Sequence, residues 1–255
     1  YIKYSNEFNG TAWSNQQDMN GNPGAYQSGF GTQTAAVAAG GYQSAPVAGP
    51  YNSTEEYNGT AWTSVNNMIN SMAMRGGVGI QTAGIVYGGS PMAAPPPSKL
   101  VEEYDGTNWT AAAALTNART ENTPHTGGSQ TAAMAVGGST PPVIDLVEEW
   151  NGTSWTERGD INTARSGMGG SGTTALMIVF GGSPGFQAIT EYWDGSSWSE
   201  LADLASPRYS MASAGTTSTA ALCIMGSQPG QPASSFGTTV EEWSVADAAK
   251  TVTTS

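Results

Sequence analysis

Four arginines recur in step along this chain, and with a matching set of glutamates they are its clearest groups able to do chemistry. Arg75, Arg119, Arg165 and Arg208 fall ten to thirteen residues after a tryptophan, and each follows a unit that carries an acid, Glu55, Glu102, Glu148 or Glu191. A guanidinium fork holds a carboxylate through two parallel hydrogen bonds. The first unit has Asn6 at the acid position and no arginine near Pro23-Gly24, so both partners are absent together. That co-occurrence predicts a structural staple, each arginine pairing with the glutamate of the previous unit, rather than a substrate-binding cluster. Buried in this way, a pair that lost one member would cost about 3–5 kcal/mol.

The remaining reactive groups are few. His125 is the only histidine and Cys223 the only cysteine, so a zinc site, a Ser-His-Asp triad or a Cys-His pair would all have to be built around one imidazole. Cys223 lies in the apolar run Ala220-Ala221-Leu222-Cys223-Ile224-Met225 and reads as a small core hydrophobe, with no disulfide possible inside the chain. The adjacent acids Glu55-Glu56, Glu102-Glu103, Glu148-Glu149 and Glu241-Glu242 point to opposite faces of a strand and cannot act as a facing acid/base pair. Gly76-Gly77-Val78-Gly79 and Gly167-Met168-Gly169-Gly170 lead into no helix with Lys-Ser or Lys-Thr, which removes a phosphate loop. No catalytic residue, metal ligand or cofactor is therefore expected, and the protein is not expected to be an enzyme. Eight basic against twenty acidic residues give a net charge of −12, which repels phosphate backbones and anionic lipid. No apolar run approaches the roughly 18 residues of a spanning helix. Nucleic acid partners and membrane insertion are not expected.

The elements that must position these residues are repeats. Asn9-Gly10, Asn58-Gly59, Asp105-Gly106, Asn151-Gly152 and Asp194-Gly195 are each closed by a tryptophan, Trp13, Trp62, Trp109, Trp155 and Trp198, at spacings of 49, 47, 46 and 43 residues. That is the period of one propeller blade. Continuous apolar runs at 35–39, 83–87, 132–136, 175–180 and 220–225 read as strands covered on both faces. Gly40-Gly41, Gly88-Gly89, Gly137-Gly138 and Gly181-Gly182 end four of them and Gly226-Ser227 the fifth. Asn-Gly and Asp-Gly between strands favour a two-residue type I′ hairpin, which would set Tyr104 opposite Thr107 and Glu102 opposite Trp109, all on one face.

This combination resembles the Kelch repeat family of β-propellers, over Ser5 to Trp243. The resemblance implies an all-β, five-bladed propeller of four-stranded antiparallel blades. The compact Asn-Gly-Thr-x-Trp form is similar to repeats in structural or fibre proteins of tailed bacteriophages. That implies a non-enzymatic virion component (tail fibre, spike or decoration protein), on a virion surface or extracellular, with other virion or cell-surface proteins or host surface glycans as partners. A bacterial extracellular lectin-like or adhesion propeller is the alternative. Enzymes on such scaffolds imply more than this chain offers: a sialidase needs several arginines where Arg158 alone is unassigned, and a copper radical oxidase needs two histidines.

The chain opens with the last two strands of a blade, Ser5 to Trp13, and ends with three, Met211 to Trp243, so the N-terminal hairpin is expected to complete the C-terminal blade and remove the open edges. Six blades are the alternative, since Glu242-Trp243 and Glu7-Phe8 duplicate one strand position. The propeller is expected over 1–245 and a flexible tail over 246–255. Loops after the glycines and after each tryptophan emerge on one side and vary most, which is where recognition on a rigid scaffold resides. Tyr42, Tyr51, Met92, Phe186 and Phe236 are the apolar anchors expected there.

Overall fold

Two kinds of turn cut each repeat into strands. At the hairpin, the Asn or Asp side chain accepts two backbone amides, those two and three residues on: Asp105 Oδ1 takes Thr107 N at 2.8 Å and Asn108 N at 2.6 Å, and Asn9, Asn58, Asn151 and Asp194 do the same. This Asx turn makes a four-residue loop with only the glycine at positive φ, Gly106 at 90°. The register therefore differs from a two-residue I′ turn: Tyr104 faces Trp109 and Glu102 faces Ala111. The aromatic pair meets directly across the strands, with centroids 4.8 Å apart. The second turn is the glycine pair, both members left-handed at Gly88 (68°) and Gly89 (95°). In the last repeat Met225 (58°) and Gly226 (94°) hold those two positions, one residue earlier than the Gly226-Ser227 alignment suggests.

In the computed structural model these strands build an all-β ring of five blades. Residues 3–21, 24–43, 48–91, 97–121, 125–231, 237, 239–246 and 249–254 are described, with the backbone alone for 125–126, 245–246 and 249–254. A hairpin of β1 (Ser5–Phe8) and β2 (Trp13–Gln16) precedes the first blade, β3 (Ser28–Thr32), β4 (Ala35–Gln43), β5 (Gly49–Tyr57) and β6 (Trp62–Val65). The second is β7 (Gly76–Ile80), β8 (Ala83–Tyr87), β9 (Val101–Tyr104) and β10 (Trp109–Ala111). The third is β11 (His125–Thr126), β12 (Ala133–Val136), β13 (Val147–Trp150) and β14 (Trp155–Glu157). The fourth is β15 (Gly169–Gly172), β16 (Met177–Phe180), β17 (Thr190–Trp193) and β18 (Trp198–Glu200). The fifth is β19 (Ala212–Thr217), β20 (Ala220–Ile224), β21 (Val240–Ala246) and β22 (Ala249–Thr254). Strands run antiparallel in sequence order from axis to rim, except that β11 leaves β12 and pairs in parallel with β15 near the axis. The backbone of His125 is part of that exchange, and its side chain lies outside the described residues.

The apolar cores lie between blades. Phe30, Val37 and Ala39 of the first blade pack on Val86, Tyr104 and Trp109 of the second, and the second-to-third, third-to-fourth and fourth-to-fifth boundaries repeat the arrangement. Cys223 sits in the last of these, where burial pushes its thiol up to about 12.

The arginine staples are present and buried, with a different partner from the one expected. Each arginine pairs with the glutamate of its own blade: Arg75 with Glu102 (2.7 Å), Arg119 with Glu148 (2.6 Å), Arg165 with Glu191 (2.8 Å), and Arg208 with Glu241. Crossing to the glutamate of the previous blade would strand the guanidinium away from the carbonyls it also needs. Arg119 Nη1 donates to Gly137 O and Leu146 O, and Arg165 and Arg208 cap the matching pairs, Gly181 with Ile189 and Met225 with Thr239. Glu55, whose blade has no arginine, accepts Asn20 N and Gly21 N, the kind of backbone contact that the other four glutamates make in addition to their arginine.

Closure also differs from expectation. Among the described residues the N-terminal hairpin pairs with no other strand, and β21 with β22 fill the outer half of the fifth blade. Arg208 requires a carboxylate at the third-strand position; Glu241 supplies it, whereas the N-terminal hairpin offers Asn6. Residues 249–254, expected within a flexible tail, are the rim strand β22.

Arg119→Ala is expected to lower unfolding free energy in urea by about 3–5 kcal/mol, against about 1–3 kcal/mol for Glu55→Ala, which strands amides but no buried cation. Equal losses would mean that the guanidinium adds nothing. A second expectation concerns the Asx turns. The Ser196 hydroxyl, then the backbone amides of Ser197 and Ser196, hold the Asp194 carboxylate down to about 2. A depressed native pKa means that its contribution is present above the unfolded value and is lost as pH falls through about 2. Carboxyl NMR titration should find that midpoint, and one near the free-aspartate value would refute the capping.

Candidate binding face at the propeller mouth

Just before each inner strand stands one residue in the left-handed region: Tyr26 (59°), Met74 (58°), Glu121 (52°), Gly167 (59°) and Ser210 (53°). Successive members are tied blade to blade by main-chain hydrogen bonds, from Met74 N to Tyr26 O (3.0 Å), Glu121 N to Met74 O (3.1 Å), Gly167 N to Glu121 O (3.1 Å) and Ser210 N to Gly167 O (2.8 Å). Because the inner strands of successive blades are neighbours around the axis from the first blade to the fifth, this belt runs along the mouth on one face from Tyr26 to Ser210. A non-glycine residue at positive φ is strained, and strain of this kind gathers at functional sites when the surrounding structure enforces it. Here the belt enforces it four times over.

The variable loops rise from the same face. The residue after each glycine pair, or its equivalent, bridges to the residue just before the belt: Tyr42 to Ala25, Ser90 to Ala73, Ser139 to Thr120, Ser183 to Ser166 and Ser227 to Tyr209. The buried arginines stand at the bases of those loops, capping the carbonyls where the chain leaves the second strand and enters the third. Gly89 shows how closely: a Cβ there would lie 2.4 Å from Arg75 Cγ and 2.7 Å from Ala73 O, so the pair needs glycine.

Side chains around the mouth are ring faces, hydroxyls and one carboxylate. Tyr26 is 49 % exposed, and Phe186 at 39 % lies against the ring of Tyr209, centroids 5.4 Å apart. Glu121 Oε2 accepts the Ser166 hydroxyl at 2.8 Å. Among the described residues no group of three histidine, cysteine or acidic side chains is placed to hold a metal ion. The arrangement can offer hydrogen bonds and flat apolar surface.

Of the five anchors read from sequence, Phe186 stands exposed on this face and Tyr42 is half-buried in the bridge to Ala25. Met92 and Phe236 lie outside the described residues. Tyr51 is half-buried, and its hydroxyl occupies the space beside Gly24 and Gly41, where a Cβ would come within 2.2 and 2.8 Å. Burial raises its pKa, with the side chain of Gln27 opposing and the charge of Glu55 adding. In the blade that lacks an arginine this phenol fills the loop base. Sequence reasoning missed Tyr26, Met74, Glu121 and Ser210, whose types share nothing; the usable signal was position, two residues past Arg119, Arg165 and Arg208.

No protein-family model matches the chain, and no curated protein matches it. Among solved structures it is similar to the one described as the structure of YjhT, with a TM-score of 0.77 over 98 % of this chain and 90 % of that one at 15 % identity. At that identity the likeness is one of fold, and it agrees with the five-bladed propeller seen here.

Replacing Ser210 by glycine should raise stability by about 1 kcal/mol, the cost of a left-handed L-residue. Thermal unfolding of Ser210→Gly checks this, and a lower midpoint would show that the serine side chain holds the belt.

Proposed function

We propose that this protein is a non-enzymatic binding propeller of Kelch type, displayed on a virion surface or otherwise extracellular, whose loop face contacts host surface glycans or other virion proteins. The observation that carries the reading is the hydrogen-bonded belt, which holds Tyr26, Glu121 and Ser210 in place, together with the Phe186–Tyr209 ring pair on the loops of the same face. Aromatic rings supply large contact area with polar edges, and sugars offer both the apolar C–H face and the hydroxyls to match. A net charge of −12 favours neutral or cationic ligands over polyanions. The glycine pair that follows the apolar run of the second strand in the first four blades, and the tryptophan that opens the fourth strand of the same four, support the Kelch-type reading, and the compact Asn-Gly-Thr-x-Trp turn supports the virion reading.

A glycan array tests it. Binding to a defined sugar class is expected, weakened about tenfold or more by Tyr26→Ala and by Phe186→Ala with unchanged melting. An empty array would overturn the glycan reading, and binding indifferent to both substitutions, or chemical turnover of the bound sugar, would overturn the assignment of this face as a non-enzymatic binding surface.

A further inference from the structure

Among the described residues, the sector between the fifth and first blades holds only the outer half of a repeat. There β1 and β2 stand as the third and fourth strands of a blade stand. Ser5 Oγ accepts from Trp62 Nε1 at 2.9 Å as Thr54 Oγ1 accepts from Trp109 Nε1 at 3.0 Å. Glu7 Oε1 accepts the Tyr57 hydroxyl at 2.8 Å as Glu56 Oε1 accepts that of Tyr104 at 2.7 Å. Gln33 donates to Phe8 O just as Gln81 donates to Tyr57 O and Gln130 to Tyr104 O.

The inner half has no counterpart. Gln81 and Gln130 also reach a second-strand carbonyl, Ala36 O and Gly84 O; beside Gln33 no such strand exists among the described residues. Among the described residues the axis-side edge of β1 pairs with no strand. Burial marks the same gap from three sides. Phe8 and Trp13 are 36 % and 49 % exposed where the matching Tyr104 and Trp109 are 0 % and 7 %. On β20, Leu222 and Ile224 are only half-buried, whereas the residues in equivalent register on β16, Ile178 and Phe180, are fully covered by the next blade. Between these walls lies a groove of about 400 Å³, lined by Phe8, Trp13, Ala36, Ala214, Leu222 and Ile224 among others.

We propose that this groove docks an extended apolar β-segment of a partner polypeptide, which adds to the axis-side edge of β1 as β8 adds to β9. The chain's own blades specify the occupant: a run such as Gly84-Ile85-Val86-Tyr87, entered through small residues and ended by glycines. Main-chain hydrogen bonds along β1 supply affinity, and alternate side chains fill the apolar walls. A charged strand would bury its charge against Leu222 and Ile224 without a partner. A second copy cannot donate such a strand while folded, because β4, β8, β12, β16 and β20 are each paired within their own blades.

The probe is a labelled synthetic peptide of residues 76–89, one complete inner strand pair, added to the full chain and followed by fluorescence anisotropy and tryptophan emission. Saturable binding with a blue shift lost in Trp13→Ala is expected, and Leu222→Asp should weaken binding at least about tenfold. Should Leu222→Asp fail to fold, Trp13→Ala, altered at an exposed ring, decides alone through affinity. Equal binding by a scrambled peptide, equal binding by folded variants, or no saturation by about 1 mM would overturn the proposal. So would light scattering that shows the chain alone as a dimer excluding the peptide, which would assign the groove to a second copy.

Discussion

A buried carboxylate on the third strand of every blade fixes how one sheet hands the chain to the next. Glu55, Glu102, Glu148, Glu191 and Glu241 each accept backbone amides of the incoming crossover, at Asn20 and Gly21, Ile69, Thr116 and Asn117, Asn162, and Ala205 and Ser206. Aromatic and aliphatic side chains between the blades form the apolar cores, but hydrophobic contact is non-directional and would tolerate a range of blade angles. Hydrogen bonds to a fixed carboxylate do not. With the guanidinium added in four blades, the crossover, the end of the second strand and the start of the third meet at one point.

That point is also the root of the variable loop, so the group that secures the ring secures the binding face. The first blade shows the alternative solution. Lacking an arginine, it extends β4 and β5 to nine residues each and sets Tyr51 where the others set a cation. Its ladder runs on past the glycine pair to Gln43 opposite Gly49.

Strand positions were legible because glycine pairs and tryptophans punctuate them, and a period of 43 to 49 residues admits few architectures. The association of Arg with Glu was legible as a co-occurrence, but its direction was not: spacing along a chain does not say which of two flanking glutamates a side chain reaches. Arg75 shows the difficulty. It stands thirteen residues past its tryptophan, the others ten, yet its guanidinium arrives at the same kind of carboxylate from a later backbone position. Closure turned on one residue, Asn6 against Glu241, whose weight is visible only once Arg208 is known to be buried. The hairpin register was not legible because Asn and Asp can serve a turn either by tolerating positive φ or through their side-chain oxygens, and here it is the oxygens that act. The mouth was illegible in residue types, since what its members share is a backbone angle.

The belt from Tyr26 to Ser210 is made of main-chain atoms alone. Its shape is therefore indifferent to which side chain each station bears, as the run of phenol, thioether, carboxylate, hydrogen and hydroxyl already attests. An aperture of constant calibre with interchangeable fittings can be resurfaced one station at a time, by drift or by an engineer, without renegotiating the architecture beneath it.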